Sequence, residues 1–160
     1  MTNRSLLVVV AAAGLVCLAN ARGGASSSPG APGAAATAYQ PFKTVWSGVY
    51  STADADRGKQ AYAQLCSRCH GATMKGGATA PGLIGTKFFD RWHDLRLGDV
   101  VAYIQAAMPR EHDFYVSGQS ARDIVSLMLQ KSGVPAGKTP MPNDVKALQE
   151  ILITRPSPRR

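Results

Sequence analysis

The residues whose types and spacing suit chemistry most clearly are Cys66-Ser67-Arg68-Cys69-His70. Two cysteines three positions apart at the end of a helix place both sulfurs on one side of the chain. Each thiol can add to one vinyl group of a haem, and the adjacent histidine then reaches the iron from the same side. The spacing therefore predicts one covalently bound haem c, attached through Cys66 and Cys69, with His70 as an axial ligand of the iron.

Three other uses of a cysteine pair fit the sequence less well. A thioredoxin-like dithiol needs alternating strands and helices, and we find no such alternation. A structural zinc site needs four ligands, and no second Cys/His pair follows at a usable spacing. A disulfide closing so short a loop adds little stability and leaves His70 unexplained.

The first 21 residues have the three parts of a secretory signal peptide. Arg4 supplies the positive charge, residues 5–18 are almost wholly apolar, and an A-x-A cleavage site ends at Ala21. We therefore expect a periplasmic or otherwise exported bacterial protein in an oxidising compartment. The alternative is an uncleaved membrane anchor, the one route by which we expect membrane association.

The rest of the chain predicts a linker, one domain and a tail. Residues 22–44 are rich in Gly, Ser, Pro and Ala and predict a flexible linker. Residues 45–153 carry the apolar periodicity of a folded domain, and residues 154–160 form a tail. An apolar fraction of 45% excludes wholesale disorder, but 7% aromatic residues are few for a core built from side chains alone.

Apolar residues at three- and four-residue steps predict helices, and caps and breakers indicate where each one begins and ends. Four helices are expected: from Ser51, with Asp54 as a capping-box partner, through Cys69; from about Gly98 to Ala107; from Ser117 through Gln130; and a short one, capped by Asn143, that carries Val145, Leu148 and Leu152. A loop spans residues 71–85, and an aromatic segment follows at 88–92. No strand is convincing, so the predicted fold class is a small all-α domain.

Further short patterns accompany the cysteine motif: Arg57-Gly58 with Tyr62, His70-Gly71, Pro81-Gly82-Leu83-Ile84-Gly85, Phe89 with Trp92, Met108-Pro109, and the segment Gly133 to Lys138. In this order they make the chain resemble the class I c-type cytochromes, which have one haem on a small helical fold. The resemblance is greatest to short bacterial monohaem proteins and to haem modules of quinoprotein dehydrogenases. One departure is Ser126-Leu127, where the family often has an Ala-Tyr pair.

A sixth iron ligand must come from a segment that folds over the other haem face. Met74 lies only four residues after His70 and cannot easily reach around the ring. Met128 lies within the apolar stripe of a helix and fits the core better. Met141, between two prolines, could present its sulfur.

Met108 ends a helix and precedes Pro109. In the proteins that this chain resembles, a Met-Pro pair at this place supplies the axial thioether, which predicts Met108 as the ligand. Met141, His93, His112 or no sixth ligand at all stay open as alternatives. Ligation by His and Met raises the reduction potential relative to harder ligands.

The resemblance also implies residues around the haem. The Pro81 carbonyl is expected to accept the free N–H of His70, and Leu83, with Ile84, to pack on the haem face. Arg91 and Trp92 are expected to reach the propionates, although an exposed Arg beside a half-buried Trp explains the pair equally well.

The predicted function is electron transfer in an exported respiratory or dehydrogenase chain, and not catalysis, because two filled axial positions leave no site for a substrate. The alternative is a haem-binding subunit or a redox- or gas-sensing module with a displaceable distal ligand; an exported thiol protein without haem is a third class. The formal net charge of +8 favours partners with an acidic docking surface, such as a quinoprotein dehydrogenase or a terminal oxidase. Nothing indicates nucleic-acid binding.

Overall fold

A computed structural model of the chain describes residues 43–110 and 114–157. The described residues contain these elements: β1 (Lys43–Thr44), a 3₁₀ turn (Val45–Ser47), α1 (Thr52–Leu65), α2 (Ser67–His70), α3 (Thr86–Trp92), α4 (Leu97–Ala107), α5 (Gly118–Lys131), α6 (Val145–Gln149) and β2 (Ile151–Leu152). The mostly helical fold confirms the predicted class. The predicted signal peptide and nearly all of the predicted linker lie outside the described residues.

The first predicted helix is two helices. The Ser51–Asp54 capping box is present, with each side chain accepting the other residue's N–H. Cys66, however, has φ −127° and ψ −31°, so α1 ends at Leu65 and the one-turn helix α2 carries Cys69 and His70. The Ser67 hydroxyl donates to the Ala63 carbonyl at 2.7 Å, a local bond that competes with regular helix geometry.

Helices α1 and α5 cross with their backbones in close contact at Gly58. A Cβ at this position would lie 2.0 Å from the Asp123 carbonyl oxygen and 3.1 Å from the Leu127 Cβ. Glycine is therefore required on α1, and Leu127 supplies an aliphatic contact at the crossing.

An ion network between a half-exposed arginine and two buried carboxylates ties the same two helices together. The Arg57 guanidinium donates to both Asp54 and Asp123, with a distance of 2.9 Å between Arg57 Nη2 and Asp123 Oδ1. Asp54 and Asp123 are both buried, so their charges depend on these bonds. Asp54 also accepts the backbone N–H of Met141 at 2.9 Å, which holds the segment after α5 against the start of α1.

Two short strands correct the expectation that the chain has none. Lys43 and Thr44, at the end of the predicted linker, pair in parallel with Ile151 and Leu152. Leu152 therefore lies in β2 and not on the last helix, which ends at Gln149. That helix is capped by Asp144, whose side chain accepts from Ala147 N–H, and not by Asn143.

The aromatic segment predicted at residues 88–92 forms α3. Phe88, Phe89 and Trp92 are buried, and Phe89 stacks on Trp46 with 5.9 Å between ring centroids. Among the described residues, no helix has the length and apolar character needed to cross a membrane.

Candidate haem site

The cysteine motif lies where α1 passes into α2. Cys66 and Cys69 are half-buried free thiols, and His70 is buried. Burial, with a smaller contribution from Cys69, raises the pKa of the Cys66 thiol to about 11. A redox-active dithiol has a lowered thiol pKa instead, so the environment does not suit that chemistry.

The imidazole of His70 is oriented by a backbone carbonyl. His70 Nδ1 lies 2.8 Å from the Pro81 oxygen. Because a carbonyl can only accept, Nδ1 carries the proton and Nε2 keeps a lone pair that can bind a metal. This is the contact that the resemblance implies for Pro81.

Tyr62 makes a contact that the sequence did not indicate. Its hydroxyl donates to the Gly71 carbonyl at 2.6 Å, directly after His70. Burial, together with the nearby Cys66 thiol, raises the pKa of Tyr62 to about 12, so the phenol stays a donor over the physiological range. No local pattern links residues 62 and 71, so the sequence alone does not predict this bond.

The four methionines of the described chain differ in burial, and Met108 is the least buried of them. Met108 is half-buried, and its extended backbone (φ −134°, ψ 144°) ends α4. Met74 and Met128 are 3% and 2% exposed, and Met128 lies in the core as predicted. Met141 is 6% exposed and is held by its N–H against Asp54.

Comparison with protein families gives a match to the part of the chain that carries the cysteine motif. The family model described as "Cytochrome C oxidase, cbb3-type, subunit III" matches residues 53–128. Residues 53–128 form a class I monohaem cytochrome c domain. No curated protein and no solved structure matches the chain.

A cytochrome c domain implies covalent haem c and haem-based electron transfer, and Cys66 and Cys69 are the cysteine pair that such attachment needs. The donor set fits this group: Cys66 directly precedes the one-turn helix that carries Cys69, and the following imidazole of His70 has Nδ1 bonded to Pro81 and Nε2 available to a metal. Apolar side chains that pack on the core but stay half-buried can contact a flat apolar ring; Leu65, Leu83, Ile84 and Tyr103 are among them. A bound haem supplies an iron that accepts and releases one electron, while the protein holds and orients it.

The predicted propionate residues of the cytochrome c domain lie together with a third side chain. The Arg91 guanidinium carbon lies 4.9 Å from the ring centroids of both Trp92 and Tyr103. Trp92 is buried, not half-buried, and Arg91 is exposed. Within the described ranges, no carboxylate forms an ion pair with Arg91.

Of the two histidines expected as alternative ligands, the structure describes His93. His93 Nδ1 lies 2.9 Å from the Asp94 carboxylate at the end of α3. His112 lies outside the described residues. Across residues 43–110 and 114–157, no group of three or more His, Cys, Asp or Glu residues could hold a separate metal ion.

Proposed function

We propose that the cytochrome c domain carries single electrons on one haem c whose iron is ligated by His70 and Met108. The main support for Met108 is its side-chain burial compared with that of the other three described methionines. Met108 alone of the four is half-buried and also lies far along the chain from His70. Both axial positions are then filled, and the iron has no open site for a substrate.

Met108 suits the distal position because of where α4 ends. Its N–H still donates to the Ile104 carbonyl at 3.1 Å, but its own backbone is extended and leaves the helix. Pro109 follows and has no N–H with which to continue the helix. The thioether is a soft donor that stabilises ferrous iron and raises the reduction potential.

Met141 suits the distal position less well. Its N–H is bonded to Asp54, at the beginning of α1, whereas the cysteine motif follows the end of the same helix. About 16 Å of helix rise separates Asp54 from Leu65. Reaching the iron would require Met141 to leave a buried position.

Four further residues are proposed to surround the haem. The Pro81 carbonyl orients the His70 ring, and Leu83 packs against the porphyrin. Arg91 and Trp92 face the propionates; the guanidinium suits two carboxylates because its N–H groups are not used in an ion pair with a described residue.

The partners are proposed to be redox proteins with acidic docking surfaces. The matched family is a subunit of a cbb3-type oxidase, which supports an oxidase as electron acceptor or as the complex to which the domain belongs. A quinoprotein dehydrogenase is the proposed donor. Exposed basic side chains support attraction to acidic surfaces; Arg68, Lys75, Lys87 and Arg110 are among them. Because c-type cytochromes are typically extracytoplasmic, we place the protein in the periplasm, with residues 1–21 as its export signal.

The test is exposure of the reduced, purified holoprotein to carbon monoxide, combined with a reversible redox titration. An electron carrier with a firm Met108 ligand keeps its reduced spectrum under carbon monoxide and titrates as a single one-electron couple. Ready binding of carbon monoxide would instead overturn the carrier proposal and favour a sensing module with a displaceable distal ligand.

A further inference from the structure

Met74 is buried in a loop that is otherwise at the surface. Among residues 71–87, all of which the structure describes, Met74 alone is buried, with 3% of its surface exposed. Its neighbours Thr73 and Lys75 are exposed. The side chain therefore anchors this loop to the hydrophobic core.

The backbone at Met74 is unusual for this residue type. Its φ is +61°, in the left-handed region that disfavours residues with a Cβ. The other non-glycine residue with positive φ in the described chain is Asp94, a type that tolerates this region better. A methionine persists in such a conformation only where the surrounding contacts hold it there.

Hydrogen bonds transmit the position of Met74 to His70. The Met74 N–H donates to the Gly71 carbonyl at 3.1 Å, and the Met74 carbonyl accepts the Leu83 N–H at 2.9 Å. The Gly76 N–H donates to the His70 carbonyl at 3.1 Å. The two arms of the loop, residues 74–76 and 81–83, thus lie side by side.

The contact between the arms is too close to shift freely. A Cβ on Gly82 would lie 2.7 Å from the Lys75 carbonyl oxygen, and Gly76 forms a β-bridge with Pro81. The Pro81 carbonyl, which accepts from His70 Nδ1, is part of the second arm. Its position is set by the first arm, and the first arm is anchored by the Met74 side chain.

We infer that Met74 is a positioning residue for the proximal ligand: its buried side chain fixes the loop that aims the Pro81 carbonyl at His70. The inference rests on His70 being an axial ligand, as proposed above. The carbonyl holds the imidazole in one orientation and strengthens it as a donor to a metal. Met74 has this role without contact between its sulfur and the iron.

The test measures solvent exchange of the His70 Nδ1 proton by ¹⁵N-edited NMR of the reduced holoprotein. In Met74→Ala, the loop loses its anchor and the proton exchanges about tenfold faster or more. Met74→Leu keeps an apolar anchor of similar volume and restores slow exchange, within about twofold of wild type. If Met74→Ala does not accumulate as holoprotein, Met74→Gln replaces it in the comparison with wild type. This variant places an amide in the core, and exchange of the His70 proton is again expected to be faster.

Two further variants separate positioning from general loss of stability. Met128→Ala makes the same change at a second buried methionine, on α5, and leaves the exchange of the His70 proton unchanged. Gly82→Ala places a methyl group against the Lys75 carbonyl oxygen, forces the two arms apart and accelerates exchange as Met74→Ala does.

The outcomes distinguish this inference from the proposed function. Equal acceleration in Met128→Ala, or slow exchange in Met74→Ala, overturns the role of Met74 and leaves the ligation by His70 intact. If Gly82→Ala accelerates exchange of the His70 proton but Met74→Ala does not, the loop backbone positions the Pro81 carbonyl without Met74, and the inference is overturned. If the His70 ring signals of the wild type lack the large shifts that a bound haem causes, both the inference and the axial assignment fail.

Discussion

At the scale of single residues, the Asp54 carboxylate joins the beginning of α1 to the segment after α5. It accepts bonds from the Ser51 N–H and hydroxyl, from Arg57 and from the Met141 N–H. Burial pushes the pKa of this carboxyl upward, but the bonds from Ser51, Met141 and Arg57 outweigh burial and hold it below its usual value. The ionised form is therefore the one that stabilises the fold.

Acid is expected to remove this contribution. Because the pKa of Asp54 is lower in the folded state, the stabilisation is complete above the unfolded pKa of about 4 and is lost as the pH falls through the folded value. Asp54→Asn should lose about 1–3 kcal/mol of unfolding free energy at neutral pH, because a neutral amide weakens the charge-assisted bonds that the buried carboxylate accepts from Arg57 and from the Met141 N–H.

Urea unfolding of the holoprotein between about pH 2 and pH 7 measures this difference. The gap between wild type and Asp54→Asn should narrow at low pH. The matched control is Asp56→Asn, which removes an exposed ion pair with Lys59 and should change stability by less than about 1 kcal/mol. A gap that is independent of pH contradicts the role given to the charge.

Single residues also differ in how far the sequence could predict them. The Cys66–His70 motif and the Ser51–Asp54 box are local, so spacing alone was enough to recognise them. The bonds from Arg57 to Asp123, from Met141 to Asp54 and from Tyr62 to Gly71 join residues that come together only in the folded chain.

At the scale of elements, the α1–α5 crossing is the tightest contact between helices. Gly58→Ala places a methyl group against the Asp123 backbone, which cannot move as a side chain can. The cost of overpacking, about 1–3 kcal/mol or more, should exceed the gain of roughly 1 kcal/mol in helix propensity.

Thermal unfolding of the holoprotein measures the effect of this substitution. Gly118→Ala is the matched control, since a Cβ there would meet only the flexible ends of Arg122 and Gln105 at 3.3 and 3.4 Å. Gly118→Ala should be neutral or slightly stabilising. A Gly58→Ala protein as stable as wild type would contradict the close approach.

Helix ends with local signals were predicted well. Ser117 caps α5 through its bond from Ser120 N–H, and α4 ends at Ala107, before Met108, as expected. The break at Cys66 and the pairing of β1 with β2 were missed. Each two-residue strand is too short to leave a periodic pattern, and its partner lies at the other end of the domain.

At the scale of the whole molecule, the segment after α5 closes the fold although it lies outside the family match. The Tyr50 hydroxyl donates to the Val134 carbonyl at 2.6 Å, and Trp46 Nε1 donates to the Thr154 carbonyl at 3.0 Å. Gly137 approaches Gly48 so closely that a Cβ on Gly137 would lie 2.0 Å from the Gly48 oxygen. The domain thus extends on both sides of residues 53–128.

The haem is expected to stabilise the folded state of this small domain. We expect the haem to cover half-buried apolar side chains such as Leu65, Leu83 and Ile84, which would be exposed without it. A group that binds the native state alone also adds to its stability. Protein produced without haem attachment should therefore be cut rapidly by a protease under conditions in which holoprotein survives. A cooperative thermal transition of the apoprotein at the holoprotein's temperature would contradict this expectation.

The central claim is that one haem c, ligated by His70 and Met108, carries the electron. The most direct measurement is the charge-transfer band of the oxidised holoprotein near the red edge of the visible spectrum, which reports a sulfur–iron bond. We predict that wild type, Met141→Ala and Met128→Ala show the band, and that Met108→Ala lacks it because the soft axial donor is gone. A band that survives in Met108→Ala, or that disappears in Met141→Ala instead, would contradict the account.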